Sequence, residues 1–573
     1  MKIFGNMTAD LEKSKQQTTA PATPASPAGP GEERRPGPAN GHGAGAGSTE
    51  YFATAVSLHM QGKAEEALGY LEKARKGGEN LAEIYSAMAQ IYLERKQHSE
   101  AAKAYRDLLA VAPGNVAAEF NLALCYEALG SYPEAVKAFK TVIHNSPELV
   151  DAHLGLATAY TKLGEFAQAQ TAYEAYLKLN ENSFPARFGL GVSLHLSKQP
   201  EKAIAAYKKA LELEPNSEEA LANLASVYTE QQDFKNALAC YDRLVKAKPD
   251  SWSAHEGLAH ASYRMDRPKE AAEHYEMLVK LNPKSFEGWY NLGVVQQKLD
   301  QAADSVKSYR EASRLKPEAV EPHINLAIAL EEQGQTDDAA AEYQQALRLE
   351  PRSVTALYNL ALIYEKKNKE GDAGDCYERV LQAKPDFTDA RFRLALVLHK
   401  QSNWKPAAIH YEQCVKANDK WAEAWLNLGI VCLKMQKNAE AENAFGKSLQ
   451  LLPDDSEALL GMASVHLQTQ NFDEARKLYR RLVELKPNSP EILFNAGLLE
   501  QKAQNHQAAI KLYTQAISHK TEFAEAYLNL AIAHQTLGAD NDANQAFEKA
   551  IRLKPELAKG YFALTPPGSQ AVQ

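Results

Sequence analysis

The sequence lacks the features of several common protein classes. Its 573 residues include 64 basic and 73 acidic side chains, so it has no basic excess to neutralise nucleic-acid phosphates. No apolar run approaches the roughly 18 residues that span a bilayer, and residues 1–10 lack the apolar core of a secretory signal. We therefore expect no nucleic-acid partner, no membrane insertion and a cytoplasmic location.

Cysteine is scarce, and motifs that carry chemistry are missing. The five cysteines are an odd number without a C-x-x-C pair, which predicts small core residues in a reducing compartment. His255 and His260 are five residues apart, about 140° around a helix, which does not fit a metal motif. No nucleophile elbow, P-loop or dinucleotide fingerprint occurs. We expect no metal, no cofactor and no catalytic residue.

Residues 1–47 are poor in side chains that can be buried. Prolines recur every third residue from Pro21 to Pro30, and glycine and alanine fill the stretch that ends at Gly47. Such a composition cannot form a core, so it predicts a disordered leader.

A period of 34 residues dominates the remainder of the chain. Eleven prolines are separated by whole multiples of 34: Pro113, Pro147, Pro215, Pro249, Pro283, Pro317, Pro351, Pro385, Pro453, Pro487 and Pro555. Counting from Ser48, fifteen units without insertion or deletion fill residues 48–557. A fixed period of this length indicates stacked supersecondary units, which need no single large core.

Each unit predicts a pair of helices in close contact. Position 8 of every unit is Ala or Gly, position 20 is Ala in all units except for Ser305, and position 24 is aromatic in all but the first. Positions 4, 7, 8 and 11 share one face of a first helix, and positions 20, 24 and 27 share one face of a second. Small residues let the two axes approach, and the ring fills the remaining space.

This pattern resembles the tetratricopeptide repeat, as in Leu530-Ala531 followed by Ala543, Phe547 and Pro555. The resemblance implies an all-α solenoid, a right-handed superhelix of antiparallel helix pairs whose first helices line a groove for peptide segments. After the repeats, residues 558–573 predict a short, partial capping helix and tail. An incompletely covered last repeat favours self-association through this end.

A second stripe on the first helix is unexpectedly apolar. Position 5 is bulky and apolar or aromatic in twelve units, and position 9 is aliphatic in ten. A helix that is apolar on two sides buries both or binds something. We expect these residues to pack against the first helix of the adjacent unit, to contact a ligand, or to do both.

Position 6, on the same stripe, is asparagine in eight units: Asn121, Asn223, Asn291, Asn325, Asn359, Asn427, Asn495 and Asn529. An amide offers donor and acceptor together, so a row of them predicts peptide-backbone binding. The row is similar to the asparagine ladder of protein O-linked N-acetylglucosamine transferases. The alternative is that each amide bonds a neighbouring helix or water.

Arg393 takes the place of asparagine in unit 11. Position 13 of units 10, 11 and 12 is lysine, namely Lys366, Lys400 and Lys434. These four cations are candidates for binding a carboxylate or phosphate of a ligand. The alternative is a solvated row that aids solubility.

The sequence predicts a non-catalytic scaffold that binds extended segments of protein partners. A first alternative is a substrate-targeting array for a separate protein glycosyltransferase, since no catalytic domain follows the repeats. A second alternative is a solenoid that assembles with itself.

Overall fold

The structure is a computed structural model that describes residues 49–557. Within that range the chain forms thirty α-helices, one final 3₁₀ turn at Pro555–Leu557, and no β-strand. The all-α solenoid predicted from the sequence is confirmed. The predicted leader over residues 1–47 and the predicted capping helix and tail over residues 558–573 lie outside the described residues.

The chain divides after Leu315 into two compact units. The helices of the first unit are α1 Thr49–Met60, α2 Ala64–Lys76, α3 Leu81–Glu94, α4 His98–Val111, α5 Val116–Ala128, α6 Tyr132–Asn145, α7 Val150–Leu163, α8 Phe166–Leu179, α9 Phe184–Leu196, α10 Pro200–Leu213, α11 Glu218–Glu230, α12 Phe234–Ala247, α13 Trp252–Arg264, α14 Pro268–Leu281, α15 Phe286–Lys298 and α16 Ala302–Leu315.

The second unit continues the same alternation. Its helices are α17 Val320–Glu332, α18 Thr336–Leu349, α19 Val354–Lys366, α20 Glu370–Ala383, α21 Thr388–Lys400, α22 Trp404–Ala417, α23 Ala422–Lys434, α24 Asn438–Leu451, α25 Ser456–Gln468, α26 Phe472–Leu485, α27 Pro490–Lys502, α28 His506–His519, α29 Ala524–Thr536 and α30 Asp540–Leu553. Odd-numbered helices are the first helices of the repeats, and even-numbered helices are the second.

The two helices of each repeat pack closely together, as the small residues at positions 8 and 20 predict. The side chain at position 20 is at most 2% exposed in every repeat, including Ser305. The ring at position 24 is buried in every repeat that has one, except that Tyr241 is half-buried. Where position 8 is glycine, the ring takes the space of a side chain: a Cβ at Gly429 would lie 2.7 Å from Phe445.

The turn between the two helices has the same backbone conformation in every repeat. Position 15 is left-handed throughout the described repeats, with φ between 53° and 79°. Glycine occupies it in five repeats, at Gly62, Gly130, Gly164, Gly334 and Gly538. The other ten repeats hold a residue with a side chain there, as at Lys96, Gln232 and Gln470. Residue type therefore does not mark this position in the sequence.

Position 4 ties the start of one repeat to the end of the preceding repeat. His153 Nε2 lies 2.9 Å from the Pro147 carbonyl oxygen at position 32 of the preceding repeat. Trp425 Nε1 donates over 2.9 Å to the corresponding carbonyl of Asp419. A proline has no N–H, but its carbonyl still needs a donor when partly buried. Position 4 supplies that donor in several repeats, and so acts as more than a core residue.

Candidate functional site

The candidate site is the first-helix face, by which we mean positions 5, 6, 9, 12 and 13 of the odd-numbered helices. Position 13 is solvent-exposed in most repeats, whereas positions 5, 6 and 9 are mostly half-buried. Leu498 and Val56, both at position 9, are 36% and 38% exposed. The face therefore offers apolar and polar groups that remain partly accessible.

The rings at position 5 pack within their own repeat. Phe392 lies 5.6 Å from Tyr411 between ring centroids, and Tyr358 lies 5.8 Å from Tyr377. Four more repeats hold the same pair between positions 5 and 24: Phe120 with Phe139, Phe188 with Tyr207, Tyr290 with Tyr309 and Phe494 with Tyr513. The packing partner of these six rings is thus the second helix of the same repeat, and not only the first helix of the adjacent repeat as expected. Their centroid separations suit edge and tilted ring contacts.

Position 34 adds a second contact to some of these rings. Trp421 lies 4.4 Å from Phe392, and Phe523 lies 4.9 Å from Phe494. In other repeats position 34 is a serine or asparagine whose side chain caps the next first helix, as Asn115 does for the Ala118 N–H. The position-5 rings therefore belong largely to the core, and position 9 is the more accessible apolar position of the first-helix face.

Three of the predicted asparagines bond their own helix. The Nδ2 groups of Asn223, Asn427 and Asn529 donate over 2.8, 2.9 and 2.8 Å to the carbonyl oxygens four residues earlier. This bond fixes the plane of the side-chain amide and uses one of its two N–H groups. It does not involve the Oδ1 acceptor or the second N–H group. Asn223 is buried, whereas Asn427 and Asn529 are half-buried.

Three other asparagines lie beside a buried tyrosine of the preceding repeat. Asn121 lies beside the hydroxyl of Tyr105, and burial raises the pKa of Tyr105 to about 12 while the amide opposes that rise. Asn359 makes the same contact with Tyr343, and Asn495 makes it with Tyr479. In each case the tyrosine is at position 24 and the asparagine at position 6 of the next repeat. The remaining two, Asn291 and Asn325, are half-buried on α15 and α17.

The gaps in the asparagine row are filled by rings. Four repeats have glycine at position 6, namely Gly155, Gly189, Gly257 and Gly461. A Cβ on any of them would lie 2.3 or 2.4 Å from the position-24 ring of the preceding repeat. The same junction therefore takes either an amide beside a hydroxyl or a ring over a bare backbone.

Two of the four candidate anion ligands are already paired. Arg393 donates from Nη1 to Glu365 Oε2 over 2.9 Å, and from Nε to the Tyr358 hydroxyl over 3.3 Å. Lys366 Nζ lies 3.8 Å from Glu331 Oε1. The paired carboxylates reduce the positive charge that these two side chains present to a ligand.

Lys400 and Lys434 are exposed, and no carboxylate of the described residues forms an ion pair with either. Burial lowers the pKa of His399, and the charge of Lys434 lowers it further, which places Lys434 near the end of the preceding first helix. The uncompensated positive charge of the predicted cluster thus lies in repeats 11 and 12.

Two adjoining cavities open on the first-helix face of repeats 13 to 15. The smaller, about 200 Å³, is lined by Leu467, Phe472, Tyr479, Asn495, Leu498, Leu499 and Lys502. The larger, about 690 Å³, is lined by Leu498, Gln501, Lys502, Gln504, His506, Asn529 and Thr536. Two predicted amides, Asn495 and Asn529, thus lie on successive cavity walls. Leu498 and Lys502 line both cavities.

Lys502 and Phe472 form a contact that the sequence did not predict. Lys502 Nζ lies 3.6 Å from the centroid of the Phe472 ring, a cation–π contact between position 13 of repeat 14 and position 17 of repeat 13. One sequence pattern could have indicated this contact. It is an aromatic residue at the start of a second helix, followed thirty residues later by a lysine at position 13.

Two other kinds of feature are absent from residues 49–557. No three His, Cys, Asp or Glu side chains in this range are arranged to hold a metal ion. None of its helices combines the length and apolarity that crossing a membrane requires.

Solved structures with similar helical repeats include the crystal structure of MamA protein, 23% identical over 30% of this chain and 92% of that chain, with a TM-score of 0.29. The crystal structure of YrrB, described as a TPR protein with an unusual peptide-binding site, is 22% identical over 35% and 98%, with a TM-score of 0.31. The structure of Naa15/Naa10 bound to HypK-THB is 15% identical over 91% and 98%, with a TM-score of 0.33. No curated protein matches this sequence.

Family models match most of the repeat region. A tetratricopeptide repeat model matches residues 86–149, 154–218, 257–320, 324–386 and 494–558, more than half of the chain. A second tetratricopeptide repeat model matches residues 194–261 and 432–493. A model of the anaphase-promoting complex, cyclosome, subunit 3 matches residues 366–448. With its paired helices, small residues at positions 8 and 20 and ring at position 24, the chain belongs to the tetratricopeptide repeat family.

Proposed function

We propose that this protein is a non-catalytic interaction scaffold whose first-helix face binds extended segments of partner proteins. The observation that carries the proposal is the pair of half-buried amides, Asn495 and Asn529, on the walls of two adjoining cavities with the exposed Leu498 between them. An extended peptide presents backbone N–H and carbonyl groups at regular intervals, and an amide can pair with both.

Hydrogen bonds alone would hold such a ligand weakly. One bond contributes about 0.5–1.5 kcal/mol net, whereas ordering one ligand residue costs about 1–2 kcal/mol. Accessible apolar side chains at position 9 supply the remainder by burying ligand surface. The same division of labour predicts broad specificity, since amides bind the backbone that all sequences share.

The proposal extends to the exposed lysines. Lys400 and Lys434 contact acidic groups of the ligand, while Lys366 is held near Glu331 and Arg393 is paired with Glu365. An exposed ion pair of this kind weakens as salt is added. Partner affinity at low and high ionic strength tests this part, and an affinity independent of salt would remove these cations from the proposal.

A photo-crosslinking residue tests the location of the binding face. Placed at Leu498, on first helix α27, it should crosslink to a bound partner. Placed at Ile409, which is 48% exposed on second helix α22, it should not. Equal crosslinking from both positions would contradict binding on the first-helix face.

Alanine substitution tests the amides. Replacing Asn427, Asn495 and Asn529 together should weaken partner binding. The matched control replaces three exposed amides on second helices, Gln382, Asn443 and Gln515, and should leave affinity unchanged. Equal affinity of the two triple variants would exclude the amides from recognition.

The cytoplasm is the proposed site of action, and the five buried thiols, none of which forms a disulfide, support a reducing compartment.

A further inference from the structure

Two adjoining cavities lie on the first-helix face of repeats 13 to 15, and both are open to solvent. In the smaller cavity, Leu467, Leu498 and Leu499 form apolar walls, with the rings of Phe472 and Tyr479. At the equivalent junction one repeat earlier, the Phe445 ring occupies the side-chain position of Gly461. Repeat 14 has Asn495 at the same position, and there the residue lines the smaller cavity.

The smaller cavity has the size of one large side chain. Its volume is about 200 Å³, and an apolar protein cavity on the order of 150 Å³ is known to take up benzene. A phenyl or isobutyl group of a ligand therefore fits between Leu498 and Phe472. Asn495 also lines this cavity, and its amide offers a donor and an acceptor to a ligand backbone.

The charge around both cavities has one sign. Lys502 lines both of them, whereas no aspartate or glutamate lines either. Among the described residues no carboxylate forms an ion pair with Lys502, whose ammonium instead lies over the Phe472 ring. The electrostatic complement of this surface is an acidic ligand.

We propose that the cavities of repeats 13 to 15 form a subsite for an acidic polypeptide segment that carries a large apolar side chain. The apolar side chain enters the smaller cavity, Asn495 and Asn529 bond the backbone on either side of it, and an adjacent carboxylate pairs with Lys502. This inference rests on the proposed function, in that it assigns one ligand chemistry to one part of the first-helix face.

Three short synthetic peptides, labelled for fluorescence anisotropy, test the chemistry on the full-length protein. The first has a central Phe flanked by Glu and Ser, the second has Ala in place of Phe, and the third has Lys in place of Glu. The Phe/Glu peptide should bind about tenfold or more tightly than its Ala counterpart, because the ring leaves water. Lys502→Gln should reduce the preference for Glu over Lys. Equal affinity for the Phe and Ala peptides, or no binding of the Phe/Glu peptide at millimolar concentration, would overturn the subsite.

Two position-9 variants locate the binding. Leu498→Asp should weaken the Phe/Glu peptide by about tenfold or more, since a carboxylate would replace the apolar wall. Val56→Asp is the matched control, because Val56 has the same position in repeat 1 and nearly the same exposure, 38% against 36%. Circular dichroism confirms that both variants keep their helices. An equal loss in both variants would place the peptide elsewhere.

The outcomes separate this subsite from the general proposal. If the peptides fail but the triple amide variant still weakens partner binding, only the subsite is wrong. If the peptides bind as expected but the triple amide variant has no effect on partner binding, the subsite remains and the amide row is excluded.

Discussion

The ring of Tyr241 covers the backbone of Gly257, so that a Cβ at Gly257 would lie 2.3 Å from the ring carbon Cζ. Tyr241 lies in the second helix of repeat 6, and Gly257 lies in the first helix of repeat 7. Burial raises the pKa of Tyr241, and the nearby Thr229 hydroxyl opposes that rise. This contact joins two repeats without any amide.

Gly257→Ala should therefore destabilise the junction between repeats 6 and 7. The added methyl forces the ring aside, and overpacking of this kind costs about 1–3 kcal/mol. Hydrogen exchange in α12 and α13 measures the change locally, which suits a solenoid whose repeats contact mainly their neighbours.

Gly371→Ala is the matched control for that substitution. Gly371 lies within helix α20, and a Cβ there meets nothing within 4 Å. Alanine should stabilise this helix by about 0.5–1 kcal/mol, since it reduces the conformational freedom lost on folding. A destabilising Gly371→Ala, or a harmless Gly257→Ala, would show that the ring contact is not the cause.

At position 15, two substitutions should change the stability of the turn in opposite directions. Gly334 has φ of 74°, so Gly334→Ala should cost about 1–2 kcal/mol in the left-handed region. Gln470 has φ of 62°, so Gln470→Gly should relieve the corresponding strain. Hydrogen exchange of the flanking helices, α17 with α18 and α25 with α26, reports each effect. Effects of the same sign would contradict the shared turn conformation.

Acidification should destabilise the fold before most carboxylates titrate. Burial lowers the pKa values of His260, His274, His399 and His410, each with a smaller contribution from a nearby cation or imidazole. Because each folded pKa lies below the unfolded value near 6.5, the unfolded state binds more protons as the pH falls. The stabilisation is complete above about pH 6.5 and is lost as the pH drops through the folded pKa values.

Urea unfolding at about pH 7.5 and 5.5 measures this effect, and the double variant His260→Gln and His410→Gln should show a smaller difference between the two pH values. Stability that is equal at both values, or greater in acid, would be inconsistent with neutral buried imidazoles.

The five cysteines should be unreactive until the chain unfolds. Burial raises the pKa of Cys125, Cys240, Cys376, Cys414 and Cys432 to about 11 in each case. Thiolate, the reactive form, is therefore scarce at neutral pH, and the sulfur atoms are also sheltered. Iodoacetamide followed by mass spectrometry should label them only in denaturant. Ser57→Cys, at an exposed position of α1, should be labelled in the native protein and serves as the positive control.

Sequence alone could predict the helix pair, because its code is contained in one repeat. Ala339 and Tyr343 meet the first helix of the same 34 residues, and period and residue size suffice to identify them. Contacts between repeats were harder. Glu365 neutralises Arg393 from 28 residues away, and Lys502 meets Phe472 across a repeat boundary, and neither pair has a spacing that local rules mark.

The left-handed turn at position 15 could not be predicted from the sequence either. Ten of the fifteen residues at position 15 carry side chains, so composition does not reveal the backbone conformation that they share. The asparagines at position 6 could be found but not assigned, since an amide that bonds a tyrosine and an amide that bonds a ligand look alike in the sequence.

The junction between position 24 and the next position 6 makes the order of the repeats matter. Both phenylalanines that precede another repeat, Phe139 and Phe445, are followed by glycine, whereas Tyr105 and Tyr343 are followed by asparagine. If a repeat were moved next to a new neighbour, a phenylalanine at position 24 would meet an asparagine at position 6. In the opposite case, the Cβ of a residue at position 6 would meet a ring that needs a glycine there. Where a ring covers a glycine in this way, the repeat that carries the ring is fitted to the one that follows it.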